Sequence, residues 1–265
     1  MSKVHETELQ PHIRLSISQS ADYALLPGDP GRVERIAAFL ENVEELAHNR
    51  EFRSIRGAYK GVTVLAVSTG IGGPSAAIAI EELSRIGVKT MIRIGSCGAL
   101  QKGMKVGELI IAQGAVRDEG TSCTYMDLSY PAVPDYGVML AIIECAQRLH
   151  YAHYCGIIRS HDSFYTDREE EIDNYWSQRG VLGADMETAA LFVVGGLRGV
   201  KTGSILNVVT ELEAPLEESI NQYASGERMA ALGEEKEIKL ALETFALLEQ
   251  RECSSSPRVD GKGNS

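Results

Sequence analysis

The sequence of 265 residues predicts a single α/β domain, on three observations. Apolar, β-branched runs alternate with stretches of helical spacing, the turns between them are rich in glycine, and Val62 to Ile94 reads as strand, glycine turn, helix and strand. A chain of this length buries one sizeable core and lies near the upper end of single-domain size.

Charge and cysteine usage narrow the function. A net charge of -11 opposes a general nucleic-acid or anionic-membrane surface, since both need broad positive fields. An anionic substrate must then be held by a few focused cations. Cys97, Cys123, Cys145, Cys155 and Cys253 show no C-x-x-C pairing or metal spacing, so neither a disulfide nor a metal site is expected, and a reducing cytoplasm is. The N-terminal residues lack a signal-peptide core, and no apolar run is long enough to span a bilayer.

Regular structure begins near Tyr23. Tyr23 to Leu26 reads as a short strand ending in the turn Pro27-Gly28-Asp29-Pro30-Gly31-Arg32, and Val33 to Leu40 as a helix with Ile36, Ala37 and Leu40 on one face. Backbone donors at that helix start favour an anion, with Arg32 in the first turn, although a solvated arginine after a tight turn is equally ordinary. Glu51–Tyr59 and Val62–Val67, separated by Lys60-Gly61, read as a hairpin with Arg50 at its entrance. Ser68 to Pro74 turns the chain into a helix whose inward stripe is Ala76, Ile80 and Leu83.

Thr90 to Ile94 reads as a buried parallel strand carrying one charge, Arg93, near its carboxyl end, and Gly95-Ser96-Cys97-Gly98 as a donor-lined turn. Arginine beside such a turn suggests phosphate, because the guanidinium fork matches a tetrahedral anion; the alternative is that Arg93 pairs with a buried carboxylate. Further on, Val106–Ala112 is a strand, Gly114–Tyr136 an irregular loop, Val138–Leu149 a helix and Gly156–Ser160 a strand. An acidic helix runs through Trp176, Thr188–Leu197 is a helix opened by Asp185-Met186-Glu187, Lys201–Val209 is the last strand, and Leu232–Leu248 is a terminal amphipathic helix. The domain is expected over residues 12–250, with flexible tails at 1–11 and 252–265.

Four of these motifs, Leu26 to Arg32, Ser68 to Ser75, Arg93 to Gly98 and Asp185 to Glu187, stand in the order and spacing of the hexameric nucleoside phosphorylases. The chain resembles the uridine and purine nucleoside phosphorylase superfamily from about His12 to Leu248. The resemblance implies a twisted, partly barrel-like mixed sheet, a hexamer built from dimers with shared sites, and phosphorolysis of a nucleoside to free base and ribose 1-phosphate without a cofactor or metal. It also assigns roles. Gly28, Arg32, Arg93 and Ser96 would hold phosphate, joined by Arg50 of the neighbouring subunit. Glu187 would grip the ribose hydroxyls over Met186, His12 would reach the 5′-hydroxyl of an adjacent subunit's site, and Phe164 would stack on the base.

Base choice is less direct. Well-known bacterial uridine phosphorylases place glutamine and, two residues later, arginine just after this phenylalanine; here Arg168 and Glu170 stand at those positions. Purine phosphorylases place an aspartic acid after the last strand, where this chain has Val209 or Thr210, with Glu211 usable only after a shift. Arg168 is therefore expected to stabilise a departing uracil anion. Uridine is the expected substrate, a purine nucleoside the runner-up, and a non-catalytic nucleoside-binding protein the remote alternative.

Overall fold

In the computed structural model, which describes residues 6–212 and 228–255, the first strand arises where the sequence is buried at every position: β1 (Tyr23–Pro27). A parallel strand flanked on both faces reads as a continuous apolar run, and β1 pairs in parallel with both β4 (Val62–Val67) and β5 (Thr90–Ala99). Between β1 and β4 lie α1 (Pro30–Ala37), β2 (Glu41–Asn49) and β3 (Phe52–Tyr59). α1 starts with Pro30 in its first turn and Asp29 as N-cap, whose carboxylate accepts the Gly31 N–H at 2.8 Å.

The chain continues through α2 (Gly73–Arg85), β5, β6 (Leu109–Asp118), α3 (Thr121–Tyr125) and α4 (Tyr136–Arg148). It ends with β7 (His153–His161), α5 (Glu169–Ser177), β8 (Gly183–Asp185), α6 (Thr188–Leu197), β9 (Lys201–Thr210) and α7 (Arg228–Ser255). The sheet order is β2-β3-β4-β1-β5-β8-β7-β6-β9, and β9 also pairs with β5. That last pairing closes β5, β8, β7, β6 and β9 into a ring, so the mixed sheet is partly a barrel, as the resemblance implied. Buried residues of α6 face one side of the sheet with those of α2, and α4 and α7 cover the other side. Among the described residues no helix is long and apolar enough to cross a membrane.

Three sequence readings need correction. Gly95 to Gly98 is not a turn: β5 runs on to Ala99, with Gly95 opposite Leu206 and Ser96 opposite Asn207 of β9. Arg93 consequently sits in mid-strand. The Gly114–Tyr136 segment is not a loop throughout, since β6 extends to Asp118, α3 follows, and Ala115 bridges Ala132. β2 was not expected, because its exposed, charge-rich sequence carries no apolar alternation, and it is held instead by antiparallel pairing to β3.

The expected tails are also shorter within the described range. Gln10 is buried and donates its N–H to the Leu15 carbonyl, and α7 continues to Ser255, with Glu252 paired to Lys201 at 3.0 Å. The remainder of those tails, residues 1–5 and 256–265, lies outside the described residues.

Candidate active site

The two glycine turns at the carboxyl ends of β1 and β4 are fastened together. Thr69 donates its N–H to the Pro27 carbonyl at 2.9 Å, and Gly70 donates to the Gly28 carbonyl at 3.0 Å. Gly70 has a φ of 69° and would press a Cβ to within 2.7 Å of Glu51, so glycine is needed there. Against these turns opens a cavity of about 660 Å³ whose walls include Gly28, Arg32, Arg93, Ser96, Met186 and Glu187. Sequence-distant residues assigned to phosphate and ribose thus line one space.

Arg93 is the centre of it. Its side chain is buried, its Nε lies 3.0 Å from Asp185 Oδ2, and its Nη2 lies 2.5 Å from Glu187 Oε2. Burial opposes its charge, but Glu187 and Asp185 outweigh burial and hold its pKa above the ordinary arginine value. Nη1 is buried with no hydrogen-bond partner among the described residues. Such a donor is costly to leave unmade, and an anion in the cavity would satisfy it. The alternative read from the sequence, pairing with a buried carboxylate, is therefore true of two edges of the guanidinium and leaves the third open.

Arg32 lies alongside, 3 % exposed, with Nη2 donating to Ser96 Oγ at 3.2 Å and Nη1 to the Ile94 carbonyl at 3.3 Å. Its Nε is 2.9 Å from Glu234 Oε2 and its Nη1 is 2.9 Å from Glu237 Oε1, both on α7. Burial pushes the Glu237 carboxyl up to about 8, against the pull of Arg32. A carboxyl whose ionisation burial disfavours cancels less of the Arg32 charge and leaves more of it for an anion.

Glu187 precedes α6 and accepts the Gly72 N–H on Oε1 at 2.6 Å. Burial raises its pKa and Arg93 draws it back. Asp185 fixes Arg93 from behind: it accepts from Ser160 Oγ at 2.6 Å and from Thr188 Oγ1 at 2.6 Å. Its role, like those of Glu234 and Glu237, was missed in the sequence. Asp185 stood inside a recognised motif without an assigned task, and the two α7 carboxylates meet Arg32 across about two hundred residues.

Gly95 makes room for the arginine two positions before it. A Cβ at Gly95 would fall 2.5 Å from Arg93 Nη2. Gly95→Ala should therefore displace the guanidinium rather than unfold the strand. A shift of that size is expected to lower kcat/KM for phosphate about 10- to 100-fold; unchanged phosphate saturation would contradict the geometry.

Of the remaining predicted residues, Phe164 lines the cavity, half-exposed and edge-on to Tyr165 at 5.0 Å between ring centroids. His12 and Arg50 are not among the residues lining this cavity. They stand near each other: Asn49, next to Arg50, donates from Nδ2 to the His12 carbonyl at 2.8 Å, and His12 Nδ1 lies 2.6 Å from Glu82 Oε1. Arg50 is exposed in a two-residue turn between Asn49 and Phe52, with φ at 56° where Asn or Gly is favoured.

Arg168 is not brought to the site. It precedes α5 at the surface, its Nε and Nη2 donating to Glu171 at 2.9 and 2.8 Å, and it lines neither that cavity nor a hollow of about 610 Å³ that adjoins it at His161 and Phe164. An adjacent carboxylate one helical turn on satisfies it locally. Glu211 is absent from the lining of the first cavity but lines that adjoining hollow beside Thr210, with its carboxylate 2.8 Å from Lys105 Nζ.

Comparison with known proteins gives the same frame. Residues 22–244 match the family model for the phosphorylase superfamily. A guanosine phosphorylase of Halorubrum lacusprofundi is 42% identical over 205 residues, covering 77% of this chain and 85% of that protein. A uridine phosphorylase of Thermococcus kodakarensis is 40% identical over 251 residues, covering 90% and 88%. The crystal structure of a uridine phosphorylase from Vibrio fischeri, complexed with 6-hydroxy-1-naphthoic acid, superposes with a TM-score of 0.85 at 45% identity, covering 90% of this chain and 97% of that one. With the motifs, the partly closed sheet and the match to most of its length in agreement, the chain belongs to the phosphorylase superfamily.

Proposed function

We propose that the protein is a uridine phosphorylase, which converts uridine and phosphate to uracil and ribose 1-phosphate. The observation that carries this reading is Arg93: a buried guanidinium with one nitrogen that has no partner among the described residues, beside Arg32 and Ser96 and in contact with the carboxylate suited to ribose. Phosphate held there lies beneath C1′. As the glycosidic bond lengthens, the ribose gains oxocarbenium character, and the fixed dianion both stabilises it and attacks it. N1 of uracil leaves with the bonding pair.

Glu187, released from Arg93 by the incoming anion, grips the 2′- and 3′-hydroxyls above Met186, and Phe164 covers the base. Arg50 and His12 complete the site of a neighbouring subunit, so the working form is an oligomer, a hexamer built from dimers. The outward placement of both residues and the strained turn kept at Arg50 support this sharing. No metal or organic cofactor enters the reaction, and the enzyme acts in the cytoplasm.

Uridine is favoured over a purine because, among the described residues, no carboxylic acid lines this cavity beside Val209 and Thr210, where N7 protonation would need one, and Glu211, which lines the adjoining hollow, is paired with Lys105 at 2.8 Å. A guanosine-cleaving reading has one observation in its favour besides its relative in Halorubrum: that hollow of about 610 Å³ adjoins the base end and could take a larger ring. Assay of uridine, cytidine, inosine and guanosine, each with and without phosphate, decides between them. Phosphate-dependent release of uracil is expected; release of purines with uridine untouched would move the enzyme to the other branch, and base release independent of phosphate would refute phosphorolysis.

A further inference from the structure

With Arg168 at the surface, the uracil edge has no reader from the expected position. The strand leading to Phe164 supplies one. Alternation along β7 sends Ser160 toward Asp185 and α6, where its Oγ donates to Asp185 and accepts from the Ala189 N–H at 2.9 Å, and sends Arg159 and His161 to the opposite face. His161 lines both the nucleoside cavity and the adjoining hollow, as do Phe164, Ala184 and Thr210. Arg159 lines the hollow and lies opposite Ala184 of β8. Both side chains therefore stand at the base end of the site, on a strand rather than a surface helix.

We propose that Arg159 and His161 are the base-reading pair of this enzyme, the guanidinium donating to the O4 carbonyl of uracil and the imidazole Nε2 accepting from N3–H.

The chemistry of each group fits. His161 Nδ1 lies 3.0 Å from the Ser163 carbonyl, which can only accept, so Nδ1 carries the ring proton and Nε2 is left as an acceptor. Burial, reinforced by the positive charge of Arg159, holds the His161 pKa below the ordinary histidine value and keeps the ring neutral at pH 7. Arg159 is 8 % exposed, and Asp118 Oδ2 accepts from its Nε at 2.7 Å. This is the arrangement seen at Arg93, in which a carboxylate fixes the guanidinium by its Nε edge.

Uracil offers an acceptor at O4 and a donor at N3, the pattern that this pair complements. Cytosine reverses both, offering an amino group to the cation and a lone pair to Nε2, so it leaves the buried guanidinium and the half-buried imidazole unpaired and is rejected. The pair also contributes to the rate. When the C1′–N1 bond breaks, the electron pair spreads from N1 to the carbonyl oxygens, and a guanidinium shielded from water stabilises that charge more than an exposed one would.

The inference rests on the uridine reading above, and the test separates the two. Uridine and N3-methyluridine are assayed with wild type, Arg159→Gln and His161→Ala, with phosphate varied. Expected is a fall of about 100-fold in kcat for Arg159→Gln with uridine while the KM for phosphate stays within about twofold. His161→Ala should lose about tenfold in kcat/KM for uridine and should no longer distinguish N3-methyluridine, which wild type disfavours. Should Arg159→Gln fail to fold, the methylation comparison with His161→Ala decides alone. Equal discrimination against N3-methyluridine by wild type and His161→Ala overturns the assignment while leaving the uridine reading intact; absence of uridine turnover in wild type defeats that reading and the assignment with it.

Discussion

Arg93→Ala is expected to lower phosphorolysis by about 100- to 1000-fold, because it removes the donor aimed at the developing charge and the fixed point from which the dianion attacks. The loss should appear in kcat/KM for phosphate, measured at saturating nucleoside. The substitution also strands Asp185 and Glu187, two buried carboxylates that share this cation. Breaking such an arrangement costs about 3–5 kcal/mol of stability, so the thermal midpoint should fall alongside the rate. Arg93→Lys separates the two effects: a single ammonium restores charge to the carboxylates but lacks the fork, so stability should recover more than activity. Near-normal phosphate saturation in folded Arg93→Ala would remove Arg93 from the centre of the site.

The second large effect concerns the sharing of sites between subunits. Arg50→Ala and Arg93→Ala should each be nearly inactive alone, yet mixing them under conditions of subunit exchange should restore activity. In a mixed pair, one site joins an intact Arg93 to the partner's intact Arg50 and the other lacks both. Random pairing then makes about one quarter of all sites competent. Gel filtration to follow exchange and a rate assay to count recovered sites are sufficient. Fully exchanged subunits with no recovery would show that Arg50 serves its own chain or none.

Much of this architecture was legible because apolar periodicity reports burial directly. β1, β4, α6 and β9 fall within a residue of where the pattern puts them, whereas α1 is Pro30–Ala37 rather than Val33–Leu40 and β6 is Leu109–Asp118 rather than Val106–Ala112. The misreadings have specific causes. Glycine usually interrupts a strand, but Gly95 is present to clear space for Arg93, and pairing with β9 carries β5 through it. β2 carries charges toward solvent, so no alternation marks it. At the site, residues held within a motif were readable, whereas Glu234 and Glu237 reach Arg32 only through tertiary packing of α7. Arg168 was assigned by its count from Phe164, but Glu171 satisfies it locally and leaves it outside the cavity.

The strand that carries Arg93 is bonded on both sides, to β1 and β9 along most of its length, and to β8 at its end. The base end is bounded differently, by Phe164 and the segment before the exposed α5. Amide hydrogens of Met91 to Ile94 should therefore exchange with deuterium only in global opening, and those of α5 through smaller, local openings. If the proposed reaction holds, uracil is expected to leave before ribose 1-phosphate, and product-inhibition kinetics check that order.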